Sequence, residues 1–344
     1  MGAIRVLDVT TALENRRKPH SKWKLSLPNE AGQVWPDFHP SFSFSPSSTI
    51  FTIGSCFARN IEKAMVEWGC YIPMLDFKTR LEEWEGRPGS MLNKYTPPNF
   101  RNSIECTAQI YDRDGKVGES DCLDFAIDVG SGEFIDMDTA SQVPVSFKRL
   151  VERRQEIYDV FRYAFRSEVV IMTPGYIETW LDAKTGRYMA GVLKVPRAAR
   201  DGSRFKFELR SFEDSVGDML AAIDIVRERN ANAKFLVTTS PVPLGATFTG
   251  QDVRTANTFS KSIVRAVCGV LPTLREKVDY FPSYESAILS DPAGVWKPDR
   301  IHILQSFVEG VARRLEEAYV RPARTILRAG PEQTSRPADR PCAA

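Results

Sequence analysis

The stretch Thr49-Ile50-Phe51-Thr52-Ile53-Gly54-Ser55-Cys56-Phe57-Ala58-Arg59-Asn60 decides how this chain is read. Its first half is a β-branched run, the composition of a buried strand. Directly beyond it Ile61, Ala64, Met65 and Trp68 recur at helical spacing, and Gly69 offers a stop. A strand that passes straight into a helix must turn sharply, which Gly54 permits. Ser55 and Cys56 then sit at a helix N-terminus, where unpaired N–H groups and the dipole favour a thiolate or an oxyanion. That setting predicts a lowered thiol pKa at Cys56 and amides able to hold a tetrahedral intermediate. The plainer alternative makes Ser55 a helix cap and Cys56 a small buried filler.

Working outward, the same alternation recurs. Residues 150–165 place Leu150, Ile157, Val160 and Phe161 on one helical face, and 168–173 reads as a second core strand. A long amphipathic helix over about 211–229 leads into a third strand at 234–239. A helix near 252–270 precedes a short fourth strand at 278–281, and a last helix runs from close to His302 to about Tyr319. Strands alternating with helices predict an α/β fold with a mostly parallel central sheet covered on both faces. Ligands of such sheets sit outside the carboxyl ends of the strands. Gly54-Ser55-Cys56, Pro174-Gly175, Ser240-Pro241 and Tyr280-Phe281-Pro282 all follow strands, so one edge collects them.

Around this domain, expected over 46–322, residues 1–45 form an extension rich in Pro, Ser and charge. Its Trp23, Trp35, Phe38, Phe42 and Phe44 suggest packing on the domain. Residues 70–148 break the alternation with GRPGS, YTPPN and DVGSGEF and read as an irregular insertion walling the site. Residues 323–344, Pro- and Arg-rich without apolar periodicity, read as a disordered tail.

Across 344 residues, 46 Lys and Arg face 44 Asp and Glu, a net charge of +2. That balance gives no general pull toward nucleic acid or an anionic membrane. No run is apolar enough to span a bilayer, and the opening residues lack the apolar core of a signal peptide. The six cysteines show no CxxC spacing, which argues for reduced thiols in a cytoplasmic protein and against a zinc site or disulfide framework. No P-loop or Rossmann glycine pattern is present, so the reading implies no cofactor and no metal. Only three histidines occur, at 20, 39 and 302. His20 lies in a basic stretch and His39 between Phe38 and Pro40, a structural setting. His302 stands three residues after Asp299, just before the last helix; either Asp299 caps that helix with His302 in its first turn, or the carboxylate orients an imidazole for proton transfer.

The string Ile53-Gly54-Ser55-Cys56-Phe57-Ala58-Arg59-Asn60 resembles the signature of the GSCFA-domain family. The resemblance extends through Asn93-Lys94-Tyr95-Thr96-Pro97, Thr173-Pro174-Gly175-Tyr176-Ile177-Glu178-Thr179-Trp180, Thr239-Ser240-Pro241-Val242-Pro243-Leu244 and Tyr280-Phe281-Pro282-Ser283-Tyr284-Glu285. It covers about residues 46–310 and places the chain near the SGNH (GDSL-like) hydrolases. The resemblance implies a three-layer flavodoxin-like fold and an acyl-ester site. In that superfamily the nucleophilic serine stands two residues after a strand-end glycine, a register that puts Cys56 at the attacking position and Ser55 second. The superfamily's Asp-x-x-His matches Asp299 and His302.

The match departs at the oxyanion hole, which the superfamily completes with a glycine and an asparagine. Here Glu178 stands where an amide would be expected, and an ionised carboxylate cannot stabilise an oxyanion. Asn93 and the backbone of Gly175 are the substitute donors, with Glu178 a substrate-positioning or structural carboxylate. Gly54, Tyr95 and Trp180 complete the expected site, the aromatic faces suiting a sugar ring or an acyl chain. The expected function is an acyl-ester hydrolase or O-acyltransferase acting on acylated, for instance acetylated, carbohydrate through a covalent acyl-enzyme. The contrasting expectation is a non-catalytic carbohydrate- or partner-binding module on the same scaffold.

Overall fold

A computed structural model describes residues 4–23, 32–191 and 203–321. In chain order its helices and strands begin with α1 (Val9–Arg17), β1 (Ile50–Gly54), α2 (Cys56–Glu67) and α3 (Pro97–Tyr111). Next come α4 (Glu119–Leu123), β2 (Ala126–Gly130), β3 (Glu133–Asp136), β4 (Val145–Ser146), α5 (Phe147–Phe161) and β5 (Val169–Thr173). Then follow β6 (Glu178–Asp182), β7 (Arg187–Tyr188), β8 (Phe205–Leu209), α6 (Phe212–Arg229) and β9 (Lys234–Val237). The chain continues through α7 (Val253–Leu274), β10 (Val278–Tyr280), α8 (Ser283–Leu289) and α9 (Gln305–Leu315).

The four strands read from the sequence form one parallel sheet, ordered β1-β5-β9-β10. Every residue of β1 and β5 is buried. Because side chains alternate between faces, that burial means both faces of the sheet are covered. Helix α2 lies against β1, β5 and α9, while α6 bridges α3 and α7, and α7 runs along β10. The α/β architecture with a parallel central sheet is thus the one expected.

Two small antiparallel sheets were not foreseen. Within 70–148 the chain forms the long helix α3 and the sheet β2-β3-β4, and residues 178–209 form the sheet β7-β6-β8. The Pro97-Pro98 pair, read as part of an irregular insertion, instead occupies the first positions of α3, where a missing N–H costs nothing. Phe100, Ile104, Ala108 and Tyr111 do recur at helical spacing along it, behind a Pro-Pro opening that masked the pattern. Asn99, Asn102, Ser103 and Thr107 are all buried on it beside Phe100 and Ile104.

At the β10 edge, the segment before β1 covers the sheet. Phe38 meets Phe281 edge-on with ring centres 5.0 Å apart, and Phe38, Phe42 and Phe44 surround Tyr319. Asp279 of β10 accepts from the Ser41 N–H and the Tyr319 hydroxyl. Covering an outer strand in this way removes an exposed row of pairing groups. Trp35 stacks on Phe307, as its aromatic character suggests, but Trp23 is 80% exposed. The expectation for 323–344 lies outside the described residues.

The turn after β1 depends on one missing side chain. A Cβ placed on Gly54 would stand 1.9 Å from Oγ1 of Thr173, its register partner on β5. Gly54→Ala is therefore expected to lose about 1–3 kcal/mol, the usual cost of forcing an atom into a packed site. Thr173→Ala in the same chain should recover part of that loss. Denaturant midpoints of the two single variants and the double variant check this, and strict additivity would show that the two positions do not meet.

Candidate active site at the carboxyl ends of the strands

Ser55 caps α2. Its Oγ accepts from the Phe57 N–H at 3.2 Å, its own N–H donates to Thr173 Oγ1 at 3.1 Å, and its hydroxyl donates to Ser240 Oγ at 2.8 Å. The ends of β1 and β5 and the segment after β9 are thereby tied together. A strap over residues 93–95 crosses the turn. The Lys94 N–H donates to Gly54 O at 2.9 Å, and Tyr95 O accepts from the Gly175 and Tyr176 N–H groups at 2.7 and 3.2 Å. The rings of Tyr95 and Tyr176 stack above, 5.3 Å apart.

These contacts separate the two candidate nucleophiles. Ser55 is 1% exposed, and its hydroxyl is occupied as both donor and acceptor. Cys56, the first residue of α2, is only partly buried and is a free thiol. The structure departs from the expected lowering of its pKa. Burial pushes the Cys56 thiol up, and this outweighs the opposing pull of its own amide, Lys261, Arg87 and the Phe57 amide. The helix terminus acts in the direction foreseen, but removing the sulfur from water acts more strongly.

Both cations escaped the sequence reading. Arg87 lies over the first turn of α2, donating to Arg59 O at 2.6 Å and Asn60 Oδ1 at 3.1 Å. Lys261, 1% exposed, donates from Nζ to the carbonyl oxygens of Ser240 and Val242, both at 2.6 Å. The available signal was a lysine falling among Ser260, Val264, Val267, Cys268 and Leu271, the buried side of α7. Beneath the turn, the buried Arg59 pairs with Glu62, and both reach Thr52 of β1.

The proposed oxyanion donors are already engaged. The Gly175 N–H is spent on Tyr95 O, so that residue shapes the turn and does not present a free amide. Asn93 is buried and donates its amide to the Tyr95 hydroxyl at 3.1 Å, while its Oδ1 lacks a hydrogen-bond partner. The Phe57 N–H is committed as well, to the capping Ser55 Oγ. Glu178 anchors a loop, accepting from the Thr247 hydroxyl at 2.6 Å and the Phe248 N–H at 3.2 Å. That loop sets Phe248 edge-on against Trp180, with ring centres 5.1 Å apart, and Phe207 closes the cluster. A groove of about 600 Å³ runs between these rings and the Tyr95–Tyr176 pair.

Asp299 and His302 are joined to each other. Asp299 Oδ2 meets His302 Nδ1 at 2.6 Å, while Oδ1 accepts the Ile301 and His302 N–H groups at 2.9 Å each. These bonds, the imidazole's foremost, hold the Asp299 carboxyl well below the usual carboxylate range. The pair sits on an exposed hairpin closed by Trp296 and Ile303, and the His302 side chain is 65% exposed. No hydrogen bond joins the His302 ring to Ser55 or Cys56; the Ser55 hydroxyl goes to Ser240 instead. His20 and His39 pack against each other, rings 5.8 Å apart.

A parallel sheet whose first strand ends in a glycine turn, with a thiol on the following helix and a carboxylate–imidazole pair before the last one, defines an α/β protein whose candidate residues lie on segments that follow the sheet strands. The profile of the GSCFA family matches residues 49–315, and the chain belongs to that family. Comparison with curated proteins yields no match, and comparison with solved structures yields none either.

Burial ranks the thiols for reactivity. Cys70, Cys106, Cys122 and Cys268 are all buried, so iodoacetamide is expected to modify Cys56 before any of these four. Because the Cys56 pKa is raised, thiolate is scarce at neutral pH and the rate should climb as pH rises past the ordinary thiol value. Peptide mapping after timed alkylation at several pH values checks both points; early labelling of Cys268 would contradict the assigned burial.

Proposed function

We propose that this chain is an acyl-transfer enzyme of the SGNH type, an ester hydrolase or O-acyltransferase that uses Cys56 as its nucleophile. The observation that carries the reading is the division of labour at the turn. Ser55 is locked into the scaffold, and the neighbouring Cys56 is a free, only partly buried thiol at the N-terminus of α2. Attack by Cys56 Sγ on an ester carbonyl gives a tetrahedral oxyanion, whose charge the positive end of the α2 dipole favours. Collapse expels the alcohol and leaves a thioester, which water or a sugar hydroxyl then cleaves, regenerating the thiol.

The Asp299–His302 pair supports the same reading. With Nδ1 held by Asp299, Nε2 is the nitrogen left to receive a proton from the incoming hydroxyl or return one to the departing alkoxide. The aromatic groove beside Tyr95 and Tyr176 suits the flat apolar face of a sugar ring or the chain of an acyl group, which favours acylated carbohydrate as substrate. A binding module on the same scaffold is the second reading. It draws on one observation: the Gly175 and Asn93 amides are both committed within the protein.

Intact-mass measurement after brief exposure to an aryl acetate or an acyl thioester separates the two. The acyl-transfer reading expects one acyl group gained on Cys56, no gain in Cys56→Ala, and turnover lowered about 100-fold or more in His302→Ala. Failure to acylate, with acetylated oligosaccharides bound equally by the parent and Cys56→Ala chains, would establish the binding module.

A further inference from the structure

The groove of about 600 Å³ has the Tyr95–Tyr176 pair as its near wall and Trp180, Phe207 and Phe248 as its far wall. The near wall belongs to the strap across the turn: the Lys94 N–H bonds Gly54 O, and Tyr95 O holds the Tyr176 N–H. What such a groove can hold follows from the angles between its rings and from the state of its polar groups.

The rings do not form a platform. Trp180 meets Phe248 at 84° and Phe207 at 58°, and Phe207 meets Phe248 at 49°. Their centres lie 5.1, 5.4 and 5.6 Å apart, respectively, so the three rings cover one another and shape a concave apolar corner. Tyr95 and Tyr176 lie within 17° of parallel, and each covers a face of the other. A sugar ring seats on a broad aromatic face left open, whereas a corner of inclined rings wraps a chain.

A sugar also brings hydroxyls that need partners once water is excluded. The polar side chains between the two walls are already spent on the protein. Asn99 donates to Met189 O at 2.8 Å and accepts from the Thr96 hydroxyl at 2.8 Å. The Trp84 ring N–H goes to Arg87 O at 3.1 Å, and Gln142 has a partner as well. Glu178 is the only charged side chain among the described residues lining the groove, and both its oxygens bond the loop at Thr247 and Phe248. An uncharged chain that asks for no hydrogen bond loses nothing on entering this space.

Phe248 closes the corner without being fixed by the core, since it is 45% exposed. Its loop is pinned at two points. Glu178 holds Thr247 and Phe248, and Asn257 Oδ1 of α7 accepts from the Leu244 N–H at 3.0 Å. Between and beside these anchors stand Gly245 and Gly250, where a Cβ would meet nothing within 4 Å. The place of the Phe248 ring therefore depends on the anchors and not on packing of its loop.

We propose that this groove is an acyl-chain subsite that takes an uncharged chain several carbons longer than acetyl, and that Phe248, positioned by Glu178, sets the length it accepts. The inference rests on the acyl-transfer reading of the crevice and names the acyl side of its substrate. The volume lies in the range of pockets that enclose a whole small ligand, and an acetyl group would fill a small part of it. The alcohol side of the ester is left outside the aromatic corner.

A series of primary n-alkanamides from acetamide to octanamide tests this without turnover, because an amide mimics the acyl group and is not consumed. Calorimetric titration of the parent protein is expected to show affinity rising about three- to fourfold with each methylene. Phe248→Ala should weaken octanamide about tenfold and leave acetamide unchanged. Glu178→Ala should reproduce part of that selective loss, and Glu178→Gln, which keeps one acceptor for the loop, should recover some of it. An affinity flat in chain length overturns the proposal, and the parent protein alone decides this. So does an acetylated oligosaccharide whose binding falls in Phe248→Ala, since a sugar then occupies the corner. A Glu178→Ala chain that weakens every amide equally, with a lowered melting temperature, removes Glu178 from the assignment. Acylation of Cys56 by acetyl and octanoyl thioesters at equal rates keeps acyl transfer and dismisses the subsite. The expected amide series in a chain that never acylates upholds the apolar groove and dismisses the acyl-transfer reading.

Discussion

At the end of β1 the backbone passes so close to β5 that Gly54 leaves no room for a side chain, and Thr173 fills the space with its hydroxyl. That hydroxyl receives the Ser55 N–H, which fixes the serine so that it caps α2 on one side and bonds Ser240 on the other. A cap is ordinarily a local device contributing about 1 kcal/mol. Here two further hydrogen bonds also join it to β5 and to the segment after β9. The position of Cys56, the direction of α2 and the fit of the 93–95 strap all descend from this contact.

Buried charge reinforces the same arrangement. Arg59 and Glu62 are almost wholly buried under the turn and share Thr52, binding α2 to the strand it follows. Lys94, next to the strap's tyrosine, is buried against Asp138, which Arg154 also reaches at 3.0 Å. Removing one member of such a set strands an unpaired charge in a low-dielectric interior, which is far more costly than losing a surface pair. The two sets therefore act as registration devices for a loop that would otherwise be free to shift. Lys261 differs from them, since its hydrogen-bond partners are carbonyl oxygens and no carboxylate pairs with it among the described residues.

The regions outside the parallel sheet acquire their meaning from the crevice. The β7-β6-β8 sheet sets Trp180 and Phe207 in place, and Glu178 spends its carboxylate on the loop that adds Phe248. A residue that looks like a broken catalytic motif is thus the anchor of the groove's far wall. The exposed hairpin carrying His302 and the buried turn carrying Cys56 have opposite electrostatic settings. One is wet and pre-paired; the other is dry, with burial dominating both of its titratable groups.

The sequence by itself determined the parallel strands, the glycine turn, the cap at Ser55 and the Asp299–His302 pair. Each of these is written in a short local pattern: β-branched runs, helical spacing, a glycine between strand and helix, and a carboxylate three residues before an imidazole. Tertiary structure decided the rest. Helix α3 was hidden because its Pro-Pro opening reads as a break and buried polar residues flank the Phe100-Ile104-Ala108 stripe. The fate of the Gly175 and Asn93 amides turned on Tyr95, a partner brought in by the strap across the turn. The direction of the Cys56 pKa turned on burial, and the place of Lys261 beside it on the packing of α7 against the strand ends. Local pattern sets what a segment can form, whereas desolvation and long-range hydrogen bonding exist only once distant segments meet.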